Sequence, residues 1–357
     1  MKKLFYGIAA LALLFPSCES DQNPALEQEA QIDMSDFYVY TDADIDESAK
    51  ANETSRFANS RTCYTMVNLN RLLNENPGLE KKMYDIEYQT RKFISKGNNN
   101  KPGGGPGGGG TGGTTDVDVA LINDGLTINI PVYVHIVLPN ANSVTDKQVN
   151  DQISVLDSDF NSRNTNQLPS GTTFVNDATL TGINFNLAGI IRHDDPTSSW
   201  GTNDAVKKAY PPITPSTHLN IWVCNIGGGI LGYAQFPGGS PSTDGVVLLY
   251  SSLPGGSAVP YNLGRTATHE VGHYLNLRHI WGDGRCRQDD FVEDTPSSDR
   301  ANYGCPSYPL VHCNDPDMTM NYMDYTDDAC MYMFTDGQTN RMRAIFQPGG
   351  ARAAMAK

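Results

Sequence analysis

His269-Glu270-Val271-Gly272-His273, followed by His279, constrains this chain more than any other stretch. Positions i and i+4 of a helix share one face, so a helix here turns two imidazoles toward one point. Glu270 follows the first of them directly and can reach the same point. His279 lies six residues beyond His273, too far along to share that face. The chain must therefore leave the helix after about one further turn and bring His279 back. Three neutral nitrogens with a carboxylate beside them are the parts of a catalytic zinc site: three ligands, a water in the fourth position and a base.

The 357 residues suffice for one large domain with appendages, and 39 % hydrophobic residues can fill a core. The formal net charge of −14 argues against nucleic acid or an anionic membrane surface as partner. Lys2 and Lys3 precede an apolar run from Leu4 to Phe15, then Ser17 and Cys18. That is the pattern of an export signal, and the run is too short to span a bilayer in a mature protein. The segment resembles a bacterial lipoprotein signal with Cys18 as the acylated residue, and Cys18-Glu19-Ser20-Asp21 is similar to acidic surface-export signals. Six cysteines follow, Cys63, Cys224, Cys286, Cys305, Cys313 and Cys330. In an oxidising compartment the last four, crowded after the histidines, can form two bridges, and spacing alone leaves three pairings open.

Composition divides the chain into a signal over 1–17, a disordered acidic tether over 18–59, a small helical unit over 60–96, a Gly-rich linker over 97–115 and one α/β domain over 116–348. Within the tether, Phe37 to Tyr40 is an aromatic exception suited to docking. Asn76-Pro77 starts a helix, and Leu79, Met83, Ile86 and Phe93 recur at helical spacing. This unit is too small to be stable alone. In the last domain, Leu126 to Val137, residues 183–187, residues 219–223 and Val246 to Tyr250 read as strands. Thr145 caps a helix carrying Val149, Ile153, Leu156 and Phe160, Arg265 to Leu275 is the helix of the two histidines, and a last helix runs from Gln338 to Phe346. His135, His193, His218 and His312 have no partner pattern and read as ordinary structural or surface residues.

The full spacing is the zinc signature of the metzincin metalloproteases. The family's usual glycine between the last two histidines is Asn276 here, the next-best residue for a left-handed turn. Asn321-Tyr-Met-Asp-Tyr325 resembles the methionine turn beneath the metal, with Met323 as its methionine. Four stretches narrow the resemblance to the pappalysin-type family: Gly229 to Pro237, Gly264 to His273, Arg278 to Asp283, and Asn321 to Met331. The resemblance covers nearly all of residues 116–347.

It implies a twisted, mostly parallel sheet with the active-site helix in the first part, and an irregular disulfide-stapled second part, an α/β (α+β) metzincin-like catalytic domain behind a small helical propeptide. It implies zinc on His269, His273 and His279, Glu270 as base, and Tyr325 as a helper of the oxyanion. It pairs Cys286 with Cys313 and Cys305 with Cys330 and leaves Cys224 a buried free thiol. It points to structural calcium at Asp290, the Glu293 carbonyl and Thr295, and to Asp328 at the base of a pocket selecting Lys or Arg after the cut. Arg61-Thr62-Cys63 resembles a propeptide segment whose cysteine takes the fourth zinc position. Cleavage in the linker, or at Arg91, Lys92, Lys96 or Lys101, would release that unit. The expected protein is an exported zinc endopeptidase made as a latent monomer, acting on proteins or peptides. It is held at the cell surface or outer membrane only by a lipid on Cys18, or released after processing. The rival readings are a catalytically silent surface-binding lipoprotein of the same fold and a metal-dependent hydrolase of a non-protein substrate.

Overall fold

A computed structural model describes residues 32–40, 63–98, 119–164 and 171–356. The export signal, Cys18, most of the tether, Arg61, Thr62 and the linker from residue 99 to 115 lie outside the described residues, while Gly97 and Asn98 continue the preceding helix. From Asp33 onward the chain is one compact unit. No helix among the described residues is long and apolar enough to cross a membrane.

Two helices precede the linker, α1 (Thr65–Glu75) and α2 (Leu79–Asn98). They bury Met66, Leu69, Leu72, Leu73, Leu79 and Met83 together with Val39 and Phe236, so the small unit borrows its core from both sides. After the linker come β1 (Ile128–Leu138), α3 (Asp146–Phe160), β2 (Ile183–Asp194), the short α4 (Ala205–Ala209), β3 (Leu219–Cys224), β4 (Gly232–Ala234), β5 (Val246–Leu249) and α5 (Arg265–Tyr274). Thr145 and Gln148 close a reciprocal capping box at the start of α3. The five strands run in the order β2-β1-β3-β5-β4, parallel except for β4, which is antiparallel to β5 at the edge. Near-continuous burial of β1 and β3 is what a sheet covered on both faces requires. The three residues of β4 escape sequence reading because two are Gly and Ala, which carry no strand pattern.

The second part is irregular: a two-residue pair of strands, β6 (Val311–His312) and β7 (Asp315–Pro316), then α6 (Asp336–Ala344). Cys286 is joined to Cys313 and Cys305 to Cys330, across separations of 27 and 25 residues. Loops of that length stabilise by about 3–4 kcal/mol each through the unfolded chain. That matters where regular hydrogen bonding is sparse. Cys224 is a buried free thiol, pushed up to about 12 by burial.

Candidate metal centre

Helix α5 is preceded by Gly264, whose backbone is left-handed and which has no side chain to cap the helix. One Asp328 carboxylate oxygen accepts from the amides of Leu263 and Arg265 instead, at 2.9 and 3.2 Å. Every residue of α5 is buried. At its other end Asn276 adopts φ 77, and the Leu277 amide donates back to the Gly272 carbonyl at 3.0 Å. This turn returns His279 to the face of His269 and His273.

The three imidazoles meet through Nε2, with His273 3.2 Å from His269 and 3.1 Å from His279. Each Nδ1 has its own acceptor: the Tyr322 carbonyl at 2.7 Å for His269, the Leu277 carbonyl at 2.8 Å for His273, and the Asp283 carboxylate for His279. A ring that donates from Nδ1 keeps a lone pair on Nε2. Burial, and then His279, hold His273 well below its ordinary pKa, so that imidazole is neutral. Three lone pairs thus converge on one point, which is unfavourable unless a cation sits among them. Ligands about 2.0–2.1 Å from a tetrahedral zinc are about 3.3 Å apart, close to the spacing of these nitrogens.

Cys63 completes the set. Its Sγ and the three histidine nitrogens all lie within 4.8 Å of one another. Burial, and then the Glu270 carboxylate, push its thiol well up, so a thiolate there needs a cation beside it. Glu270 Oε2 is 3.4 Å from Cys63 Sγ and accepts from the Thr65 hydroxyl at 2.7 Å. Thr65 in turn accepts the Ala234 amide of β4 at 2.7 Å, and the Tyr64 amide donates to the Gly232 carbonyl. Cys63 to Thr65, at the entrance of α1, therefore lie along the edge strand and contact Glu270 as well as the point where the imidazoles meet. Gly232 has to be glycine: a Cβ there would stand 2.9 Å from Glu270 Cγ.

The floor is the turn at Met323. A Cβ on Gly272 would meet Met323 Sδ at 2.4 Å, so the helix and the methionine fit only because that residue is glycine. Asn321 accepts the Met323 amide at 2.9 Å, and Asp324, its carboxyl pushed up to about 7 by burial, accepts from the amides of Tyr325 and Asn302. The Tyr325 ring lies 5.0 Å from His279 and its hydroxyl donates to the Cys63 carbonyl at 3.3 Å.

The other expected sites are more dispersed. Asp290 is buried, its carboxylate accepts from the Thr295 hydroxyl and the Val292 amide, and the Glu293 side chain is exposed. Burial, and then Asp289, push the Asp290 carboxyl well up. Asp328 is wholly buried. His135 bonds Asn220, and His312 bonds Asp317, away from the metal point. Sequence reasoning assigned no role to Thr65, Asp283 or the Tyr38 and Arg278 contact. Asp283 carried a signal, lying four residues after His279.

A family model described as pregnancy-associated plasma protein-A, of the Peptidase M43 family, matches residues 215–347. An extracellular metalloprotease of Sordaria macrospora is 36 % identical over 245 residues, 64 % of this chain and 78 % of that one. The chain belongs to the pappalysin-type metzincin metalloproteases. One of Arthroderma gypseum is 34 % identical, with 63 % of this chain and 74 % of that one covered. Among solved structures, mature mirolysin of Tannerella forsythia in complex with a cleaved peptide is 44 % identical, covering 64 % of this chain and 96 % of that one at a TM-score of 0.61. A promirolysin variant of the same organism is 37 % identical and covers more, 83 % of this chain and 97 % of that one, at a TM-score of 0.69. The protein is a metalloprotease, and its family implies a catalytic zinc, which the three imidazoles fit.

Proposed function

We propose that this chain is the exported, latent precursor of a zinc endopeptidase that cuts proteins or peptides before Lys or Arg. Cys63 Sγ in the same small space as the three histidine nitrogens carries the reading. Bound at these ligands, zinc would acidify a water and polarise the carbonyl to be cut. His269, His273 and His279 each hold their metal-facing nitrogen unprotonated by donating from the other. Glu270 takes the proton of the attacking water and delivers it to the leaving amine. The Tyr325 hydroxyl donates to the oxyanion, since its present acceptor leaves with Cys63. Met323 packs beneath the rings and keeps their tilt.

Latency rests on Cys63 and Thr65, which occupy the metal point and the base. Residues 60–96 act as the propeptide, and the linker over 97–115 is where it is severed. Residues 116–348 are the catalytic domain, preceded by a signal over 1–17 and a tether over 18–59 lipidated at Cys18. Relatives named extracellular support export. Arg91, Lys92 and Lys96 lie on helix α2, which makes the linker the more open target. Asp328, a buried carboxylate next to the start of α5, supports selection of a basic side chain. Calcium would sit at Asp290, the Glu293 carbonyl and Thr295, a reading supported by the Asp290 carboxylate and Thr295 hydroxyl lying 2.9 Å apart, since grouped oxygen donors suit that ion.

Profiling cleavage of a peptide library by the chain cut in its linker and loaded with zinc tests both parts. Cuts concentrated before Lys and Arg are expected, with Asp328→Ala relaxing them. Cuts without regard to charge would remove Asp328 from the specificity, and no cuts at all would favour a silent binding protein of the same fold.

A further inference from the structure

Helix α2 is held to the catalytic part by charge as well as by apolar contact. Glu87 is 2 % exposed and makes a two-pronged pair with Arg341 of α6, at 3.0 and 2.7 Å. Burial pushes its carboxyl up, yet Arg341 and then Arg91 outweigh that and hold it at about 2. Phe291 sits at the centre, in a left-handed backbone with φ 64. Its ring lies 4.9 Å from the Arg278 guanidinium, 5.3 Å from Arg91 and 5.7 Å from Arg341.

The partners of these arginines are unevenly distributed about the linker. Arg278, 4 % exposed, donates to the carbonyls of Tyr38 and Val39, while its Nη1 has no hydrogen-bond partner. Arg341, 2 % exposed, donates to Glu87 and to the Phe291 carbonyl. Loss of everything before the linker takes away Glu87, Tyr38 and Val39 and leaves two guanidiniums around one aromatic ring. Asp283, the carboxylate of the catalytic part acting on Arg278, is already engaged by His279. An arginine stripped of its partner in a partly buried place is unfavourable. The guanidinium fork also matches a carboxylate better than it matches water.

We propose that the mature enzyme carries a carboxylate-binding exosite beside Phe291, in which Arg341, with Arg278 across the same ring, takes an acidic residue of a peptide segment as Arg341 takes Glu87 here. The segment that departs is a 20-residue helix, so the face it uncovers has the length of a peptide. With a net charge of −14 on the whole chain, long-range attraction does not favour an acidic partner. Recognition is therefore local and weakened by salt. The inference rests on the reading that residues before the linker depart.

The test uses the Glu270→Ala full chain with the recognition sequence of a site-specific protease inserted in the Gly-rich linker, cut there and freed of the released part. The probes are a labelled synthetic peptide of residues 79–98 and its Glu87→Gln form, followed by fluorescence polarisation. Loss of a fork-paired carboxylate should weaken binding about tenfold or more. Arg341→Met in the protein should bring the two peptides to equal affinity, and a short cleft substrate should displace neither. Equal binding of both peptides to the Glu270→Ala protein with Arg341 intact, no binding of either, or displacement by the cleft substrate would overturn the proposal. If Arg341→Met does not fold, Arg341→Lys keeps the charge but loses the fork, and the peptide comparison stands without any variant at that position. Zinc-dependent cleavage by the Glu270 protein is read separately, so an inactive enzyme leaves the binding result intact.

Discussion

The segment before the linker touches the catalytic part in two ways that differ in kind. Around Cys63 the contact is short and chemical: one thiol and one hydroxyl set against three imidazoles and a carboxylate. Around Glu87 it is broad and structural: a helix, a buried ion pair and an aromatic ring under three arginines. In the proposed function the first patch stops the reaction, and the second holds the arm in place. A few atoms suffice to block a metal, but they do not keep a 36-residue arm (Cys63–Asn98) docked. The holding free energy has to come from elsewhere in the arm.

Variants at the two patches should therefore separate catalysis from docking. Glu270→Ala removes the base and should lower peptide cleavage by about 10²–10⁴-fold, with zinc content unchanged by metal analysis and docking of the arm unaltered. Glu87→Gln should do the reverse. Leaving Arg341 buried without its carboxylate costs about 3–5 kcal/mol of docking, read as earlier release of the arm in chemical denaturation, while cleavage by the severed enzyme is unchanged. The same pair gives a pH signature. A carboxyl held at about 2 contributes docking stability that is present above its unfolded value near 4.3 and is lost as pH falls toward 2. Glu87→Gln should flatten that acid limb of an arm-release titration.

Cys63→Ala deletes a small buried side chain, worth about 1 kcal/mol of docking, yet it should speed self-activation because the fourth position opens. Unchanged activation would remove the thiol from latency and leave the second patch to do both jobs. The smallest effect is expected at Asn276. A β-branched residue forced to φ 77 costs about 1–2 kcal/mol, so Asn276→Val should lower thermal stability and zinc affinity together, while Asn276→Gly should not.

The first patch was legible in the sequence because its chemistry dictates spacing. Two histidines four apart, a third six further and an asparagine in the turn leave little freedom, and the helix and turn form at those residues. The capped helix α3 and the long strand β1 were legible for the same local reason, caps and alternation. The second patch was not. Glu87 and Arg341 are 254 residues apart, and nothing in either's neighbourhood marks it as a partner. Thr65 was missed because a hydroxyl beside a carboxylate has no spacing rule. Phe37 to Tyr40 stood out only as aromatic in an acidic stretch, and Arg278, whose guanidinium lies 4.6 Å from the Tyr38 ring and donates to the Tyr38 carbonyl, sits one residue before His279 without a sequence cue of its own.

The central claim is that Cys63 ligates the metal in the intact chain. Replacing zinc by cobalt and recording the near-ultraviolet spectrum tests it, because thiolate bound to cobalt gives a charge-transfer band that imidazole does not. The account predicts the band in the intact chain and its loss both in Cys63→Ala and after the linker is cut and the arm removed. An intact chain without the band, or a Cys63→Ala chain that keeps it, would contradict the account.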